Sequence, residues 1–173
     1  LKDADALYDY FQKHIAWEQL EIKIFGKLLP QPRLSAFYAS QGVNYAYSGL
    51  KLKPRPFDKN LEALKTRIEE ATGYNFNSCL ANLYRDGKDS MGWHADDEKE
   101  LGKNPVIASL SLGAVRNFQM KHKTRALKHK IDLQHGSLLI MQGEMQHYWK
   151  HQLPKTARDI GPRINLTFRN IIN

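Results

Sequence analysis

Arg163-Ile164-Asn165-Leu166-Thr167-Phe168-Arg169 alternates polar and apolar residues without a break. Successive side chains of a strand point to opposite faces, so Arg163, Asn165, Thr167 and Arg169 share one face and Ile164, Leu166 and Phe168 the other. If the polar face meets water, its arginines need no ligand. If it lines the inside of a barrel, two buried guanidinium groups demand an acidic partner. The reach of such a pair suits a small diacid. Six residues at about 3.3 Å put the two Cα atoms roughly 20 Å apart, and two extended arginines leave a gap on the order of 7 Å, near the length of a five-carbon dicarboxylate. The planar fork of arginine also binds a carboxylate in bidentate fashion, which lysine cannot.

Working outward, almost everything after Gly73 reads as short strands. Segments 76–84, 106–112, 117–122, 137–141, 147–153 and 163–171 carry β-type patterning, and Asp86-Gly87, Gly113 and Gly143 divide them. Before Gly73 the periodicity is helical. Leu7, Phe11 and Ile15 form one stripe; Leu61, Leu64, Ile68 and Ala71 form a second, approached through Pro54 and Pro56 and stopped by Gly73. Early helices followed by many strands predict an α+β chain whose β part is a sandwich or jelly roll.

The chain has 173 residues, the size of one domain, and its 42% hydrophobic and 25% charged residues are those of an ordinary globular protein. No apolar run reaches the roughly 18 residues of a membrane span, and the amino terminus has no signal-peptide pattern. The one cysteine, Cys79, excludes an internal disulfide, favours a reducing cytosolic or nuclear setting, and reads as a core thiol. A net charge of +8 raises the odds of a polyanionic partner, nucleic acid above all. The charge is concentrated in 121–130, which has no acidic residue. That stretch is either a solvated hairpin or a phosphate-contacting loop.

His94-Ala95-Asp96 places an imidazole and a carboxylate two residues apart, on one face if the segment is extended, and His151 lies in another strand-like stretch. Two imidazoles and one carboxylate can hold iron(II) on one side and leave the opposite positions open. His-x-Asp is common by chance, and with seven histidines in the chain a distal partner adds little by itself. His14, His122, His129, His135 and His147 read as surface or packing residues. Asn82 and Tyr84 share a strand face and both carry donors for an anion; a core tyrosine and a turn-proximal asparagine are the plain alternative.

Taken in order, Asn82-Leu83-Tyr84-Arg85-Asp86-Gly87, His94-Ala95-Asp96-Asp97-Glu98, segment 107–113, Gly136-Ser137-Leu138-Leu139, Trp149-Lys150-His151 and the Arg163–Arg169 heptapeptide resemble the AlkB family of iron(II)- and 2-oxoglutarate-dependent nucleic-acid dealkylases. The resemblance covers nearly the whole chain. It implies one dioxygenase domain over 1–173, with a substrate-recognition lid and helices over about 1–75 and a double-stranded β-helix, or jelly roll, over about 76–173. It implies His94, Asp96 and His151 as iron(II) ligands, and Asn82, Tyr84, Arg163, Asn165 and Arg169 as the 2-oxoglutarate site, with dioxygen as the second co-substrate. Arg163 would meet the distal carboxylate and Arg169 the keto-acid end.

The amino-terminal part is most similar to the duplex-DNA repair subgroup. Ile24-Phe25-Gly26-Lys27, ahead of Pro32-Arg33, matches a loop whose aromatic tip fills the gap left by a flipped base. Tyr45-Ala46-Tyr47-Ser48-Gly49-Leu50 matches the lid over the damaged base, with Tyr47 where the better-known enzymes carry phenylalanine. Asp97 and Glu98 match an acidic pair that reads a cationic alkylated base. The implied activity is oxidative demethylation of bases such as 1-methyladenine and 3-methylcytosine in double- or single-stranded DNA, releasing formaldehyde and succinate, by a monomer in the cytoplasm of a bacterium or the nucleus of a eukaryote. Methylated RNA as the substrate, and a nonenzymatic nucleic-acid-binding module, stand as alternatives. After His151 the segment Lys155-Thr156-Ala157-Arg158 is less basic than the subgroup's pattern, which puts the grip on a second strand in doubt.

Overall fold

The computed structural model describes residues 3–24, 26–43, 46–47, 50–51 and 53–172. Its elements run α1 (Ala4–His14), β1 (Glu21–Ile24), β2 (Lys27–Pro30), β3 (Leu34–Ala39), β4 (Ala46–Tyr47), β5 (Leu50–Lys51), α2 (Lys59–Thr72), β6 (Ser78–Tyr84), β7 (Met91–His94), β8 (Ile107–Gly113), β9 (Arg116–His122), β10 (Lys128–Leu133), β11 (Ser137–Met141), α3 (Met145–Tyr148), β12 (Trp149–Leu153) and β13 (Arg163–Arg169). Two antiparallel sheets carry the architecture, one of five strands in the order β11-β8-β13-β6-β3 and one of four in the order β10-β9-β12-β7. From β6 onward the chain passes between the sheets at nearly every connection, as a double-stranded β-helix requires. β3 comes from the part assigned by sequence to lid and helices, yet it forms an edge of the larger sheet by pairing with β6.

β13 lies between β6 and β8, with Arg163 opposite Tyr84 on one side and Gly113 on the other, and all seven of its residues are buried. The question of which face meets water is thereby answered: neither does. Ile164, Leu166 and Phe168 join Cys79, Ala81, Leu110 and Leu112 in a cluster with Phe11 and Ile15 and with Leu61, Leu64 and Ile68 of α2. At about 1.5–3 kcal/mol per fully buried large apolar side chain, this layer anchors both helices to the outside of the sheet. The polar residues of β13 consequently point at the second sheet.

α2 starts where Asp58 accepts hydrogen bonds from the backbone N–H of Asn60 and Leu61, both at 2.8 Å, a cap worth about 1 kcal/mol. It ends at Gly73, which adopts the left-handed conformation that stops helices. Gly113 closes β8 at φ 90°, and a Cβ there would meet Pro162 O at 2.5 Å and the Tyr8 ring at 2.7 Å. Only glycine fits that crossing. Cys79 is buried in the helix-facing core, where loss of hydration pushes its thiol well above the ordinary range.

Some expected bounds shift. The strand expected from His147 begins at Trp149, because Met145–Tyr148 closes a helical turn first. β7 and β10 lie outside the segments whose patterning reads as strand, although an extended stretch at His94 and a hairpin over 121–130 are among the readings.

Candidate metal centre

His94 is the last residue of β7 and His151 sits opposite it on β12, so hydrogen-bonded register brings the two imidazoles together with ring centroids 4.2 Å apart. Asp96 lies beyond the end of β7, and strand alternation is not what places it. Gln146 Oε1 accepts from the Asp96 backbone N–H at 2.9 Å, and Arg169 donates to Asp96 Oδ2 from Nη2 at 2.8 Å and Nε at 3.3 Å. One ligating atom from each of His94, Asp96 and His151 then lies within 4.8 Å of the others.

The protonation of this cluster favours a cation. The Nδ1 of His94 lies 2.8 Å from Gly92 O, and a carbonyl can only accept, so Nδ1 carries the proton and Nε2 keeps its lone pair. That Nε2 is 3.8 Å from Asp96 Oδ1. Burial holds His94 below the usual imidazole range against the opposing pull of Asp96. His151 is pushed down to about 3, by burial first and then by His94. For Asp96, burial works upward, but the charges of Arg169 and the two histidines outweigh it and hold the carboxyl below its ordinary range. At neutral pH the set is therefore two neutral imidazoles and one carboxylate. Asp96 Oδ1 and His151 Nδ1 are buried with no hydrogen-bond partner among the described residues, a costly arrangement unless something else completes it.

The triad opens into a cavity between the sheets, about 480 Å³ of empty space counting its mouth, lined among others by Asn82, Tyr84, Ser109, Arg163, Asn165 and Arg169. Arg163 is only 2% exposed. It donates to Ser111 Oγ at 2.8 Å and its guanidinium lies 5.4 Å from the Tyr84 ring centroid. Its Nε has no partner, and among the described residues no carboxylate pairs with it. Burial pushes its pKa down to about 10, with Tyr84 opposing and Arg116 adding to the shift, so it stays a cation at neutral pH. A buried cation without a counter-charge faces the cavity.

The remaining expected site residues divide. Asn82 lines the cavity, with its Oδ1 taken by Arg33 Nε at 3.0 Å and Ser35 Oγ at 2.9 Å, which leaves its amide NH₂ as the free polar end. Asn165 also lines it, but its amide already donates to Ser109 Oγ and Leu110 O and its oxygen accepts from Thr167. Arg169 is engaged with Asp96, and Arg163 lines the same cavity without a carboxylate partner among the described residues. Arg33, expected at the nucleic acid, is buried behind Asn82 and also donates to Ser90 O; its guanidinium stiffens the cavity wall and does not reach the surface. Asp97 is exposed and paired with Lys123 Nζ at 3.1 Å, whereas Glu98 is partly buried, raised by burial first and then by its acidic neighbours. Phe25, Tyr45 and Ser48 lie outside the described residues, and of Tyr47 only the backbone in β4 is described.

Three residues of the site were not read from sequence. Ser111 was visible in principle, since Ser109 and Ser111 alternate with Ala108, Leu110 and Leu112 on β8. Arg116 is buried, lies 5.7 Å from the Tyr84 ring and donates to Asp86 O, Asp89 O and Pro154 O. Neither it nor Gln146 carries a local signal.

Residues 2–169 match the model of the 2OG-Fe(II) oxygenase superfamily. The chain is 43% identical over 181 aligned residues to human alpha-ketoglutarate-dependent dioxygenase alkB homolog 3, covering 99% of this chain and 63% of that protein. It is 41% identical over 172 residues to mouse DNA oxidative demethylase ALKBH2, covering 95% of this chain and 70% of that protein. The chain belongs to the AlkB branch of the 2OG-Fe(II) oxygenases. It spans about 63% of the length of the alkB homolog 3 proteins it matches. The solved structure of OsALKBH1 shares the fold, with a TM-score of 0.67 at 15% identity over 98% of this chain and 92% of the other.

The cavity fits the two groups named by the family. Orphaned atoms of Asp96 and His151, and the free Nε2 of His94, suit iron(II) at the triad. The uncompensated Arg163 suits a carboxylate of 2-oxoglutarate. Among the described residues no helix is long and apolar enough to cross a membrane.

Proposed function

We propose that this chain oxidatively demethylates N-alkylated bases of the 1-methyladenine and 3-methylcytosine type in DNA. The observation that carries the reading is the buried Arg163 guanidinium, with no carboxylate partner among the described residues, sharing one cavity with the His94-Asp96-His151 triad. A structural metal site has no use for it; a 2-oxoglutarate oxygenase does. The relatives named for dioxygenase and DNA demethylase activity support the same conclusion.

His94, Asp96 and His151 would hold iron(II). When bound, iron(II) and 2-oxoglutarate would supply the reduction of dioxygen: 2-oxoglutarate loses carbon dioxide to become succinate, which takes one oxygen atom, and the other enters the N-methyl group, whose carbon then leaves as formaldehyde. Arg163, with Tyr84 and Ser111, takes the distal carboxylate; Asn82 turns its amide NH₂ to the same anion. Arg169 holds Asp96 Oδ2 and so turns Oδ1 toward the metal, while Asn165 fixes the wall between Ser109 and Thr167. Apolar side chains of Leu80, Met91, Phe118, Leu133 and Leu153 complete the lining and limit water.

A paired base must leave the stack to reach this depth, at a cost of a few kcal/mol that is least where the lesion already spoils pairing. Phe25 is assigned as the wedge that fills the gap and Tyr45, Tyr47 and Ser48 as the lid over the extruded base. Glu98, and Asp97 once Lys123 lets it go, favour a cationic methylated base over its neutral product. The hairpin of β9 and β10 supplies phosphate contacts. The reading places the protein as a monomer wherever DNA is kept, bacterial cytoplasm or eukaryotic nucleus.

Mass spectrometry of methylated single- and double-stranded DNA and RNA oligonucleotides after incubation with iron(II) and 2-oxoglutarate tests the proposal. A loss of 14 Da per methyl group, matched by formaldehyde and abolished in His94→Ala and Asp96→Ala, is expected (a mass difference of roughly one CH₂, with the triad acting as the metal's only anchor). Unchanged oligonucleotides in every arm would refute it.

A further inference from the structure

His122, His129, Tyr148 and Trp149 form an aromatic cluster that neither the metal nor the co-substrate uses. Trp149 and His151 are two residues apart on β12 and share its face, so the cluster begins about 7 Å along the strand from the triad. Register sets His122 opposite Trp149. The rings follow one another: His129 to Trp149 at 5.3 Å, Trp149 to His122 at 5.2 Å, His122 to Tyr148 at 5.9 Å with only 8° between planes.

The cluster is held rigid and left open. His122 Nδ1 accepts the backbone N–H of Thr124 at 3.1 Å and of Arg125 at 3.0 Å, which fixes the ring, and Tyr148 O accepts from Lys123 N at 2.7 Å. Tyr148 is nevertheless 49% exposed, and the neighbouring Leu127 and Ile131 are 45% and 40% exposed. An exposed apolar and aromatic patch about 7 Å along the strand from the triad is a contact surface. The turn beside it carries Arg125 and Lys128 and no acidic residue, next to Lys123, whose Nζ is already paired with Asp97.

We infer that this shelf stacks the unpaired nucleotide that flanks the target base, with the adjacent turn taking its phosphate. Aromatic faces beside cations are the combination that holds single strands without reading sequence. The inference rests on the nucleic-acid reading above and adds a second, fixed grip to it, one that a paired neighbour cannot use because its face is already stacked.

The test is binding of unmethylated (dT)₁₂, (rU)₁₂ and a blunt DNA duplex to the full chain, read by tryptophan emission and by affinity. Single strands should quench Trp149, and Trp149→Phe should abolish the quench. Tyr148→Ala and His129→Ala should each weaken single-strand binding about tenfold, undiminished by added salt, whereas Tyr148→Phe should bind like the parent. An effect confined to the (dT)₁₂ or the (rU)₁₂ arm assigns the shelf to DNA or to RNA. Parent-like affinity in both alanine variants, a loss that vanishes at high salt, an equal loss on the duplex, or a quench that survives Trp149→Phe overturns the shelf. Formaldehyde release is scored separately: its absence with the quench intact sinks demethylation, and its presence without the quench sinks only the shelf.

Discussion

Replacing Arg163 with methionine should move stability and co-substrate affinity in opposite directions. The guanidinium is 2% exposed, keeps its charge at neutral pH, and has Ser111 and Tyr84 around it and, among the described residues, no carboxylate. In the ligand-free protein it is a buried cation with an orphaned Nε, so a methionine of similar length should leave stability equal or raise it by about 1–2 kcal/mol. With 2-oxoglutarate bound the same group becomes half of a buried charge pair, and truncating one partner of such a pair costs about 2–5 kcal/mol, or roughly 30- to 3000-fold in affinity. Titration calorimetry of 2-oxoglutarate into manganese(II)-loaded protein measures the second quantity and urea unfolding of metal-free protein the first. In the parent, ligand at a hundredfold excess over Kd should add about 2.7 kcal/mol of stability, and in the variant at the same concentration less than about 1 kcal/mol. Unchanged affinity would remove Arg163 from the co-substrate site. A ligand-free variant destabilised by more than about 2 kcal/mol would mean that Ser111 and Tyr84 already satisfy it, and the argument from the unpaired cation would fail.

Asp89 is buried; its burial works upward, but hydrogen bonds from the Arg85 side chain and backbone, with the charges of Arg85 and Arg116, hold its carboxyl below the usual range. Asp89→Asn should therefore cost about 2 kcal/mol in urea unfolding above pH 5, and the gap should close as pH falls through the depressed carboxyl, because that stabilisation is present only while the group is ionised. Gly113→Ala must place a Cβ 2.5 Å from Pro162 O at a positive φ, and should lower the melting temperature by about 4–8 °C, at about 2 kcal/mol and 2–4 °C per kcal/mol for this chain length; a parent-like melting curve would contradict the crossing described. Phe25→Ala should slow repair of methylated duplex more than of the matching single strand, and equal losses would argue against a wedge.

Much of this is legible in the sequence, and the exceptions have common causes. β13 shows its strand period because its two faces meet different neighbours, one apolar and one polar. β10 does not, because five of its six residues are exposed and no face is selected for apolarity. β3 reads Leu-Ser-Ala-Phe-Tyr-Ala and is covered on both sides, which erases alternation from the other direction. β7 is four residues long with a glycine inside, too short to show any period. At the site, residue types and order identified the triad, but partner choice was hidden. That Arg169 takes Asp96, 73 positions away, and that Arg33 turns inward to Asn82, are decided by packing between sheets and leave no trace in either segment.

Both arginines of the site ride on the central strand of the larger sheet. A slip of that strand by one position would swing Ile164, Leu166 and Phe168 into the cavity and bury the charges under the helices, so its alignment tolerates no drift. Under the proposed function, metal anchoring and co-substrate length would be gauged by a single ruler bolted between β6 and β8. If the proposed activity holds, divergence toward new lesions has to be written elsewhere, in the hairpins and turns around the rim, which can be rebuilt without disturbing the measuring stick beneath them.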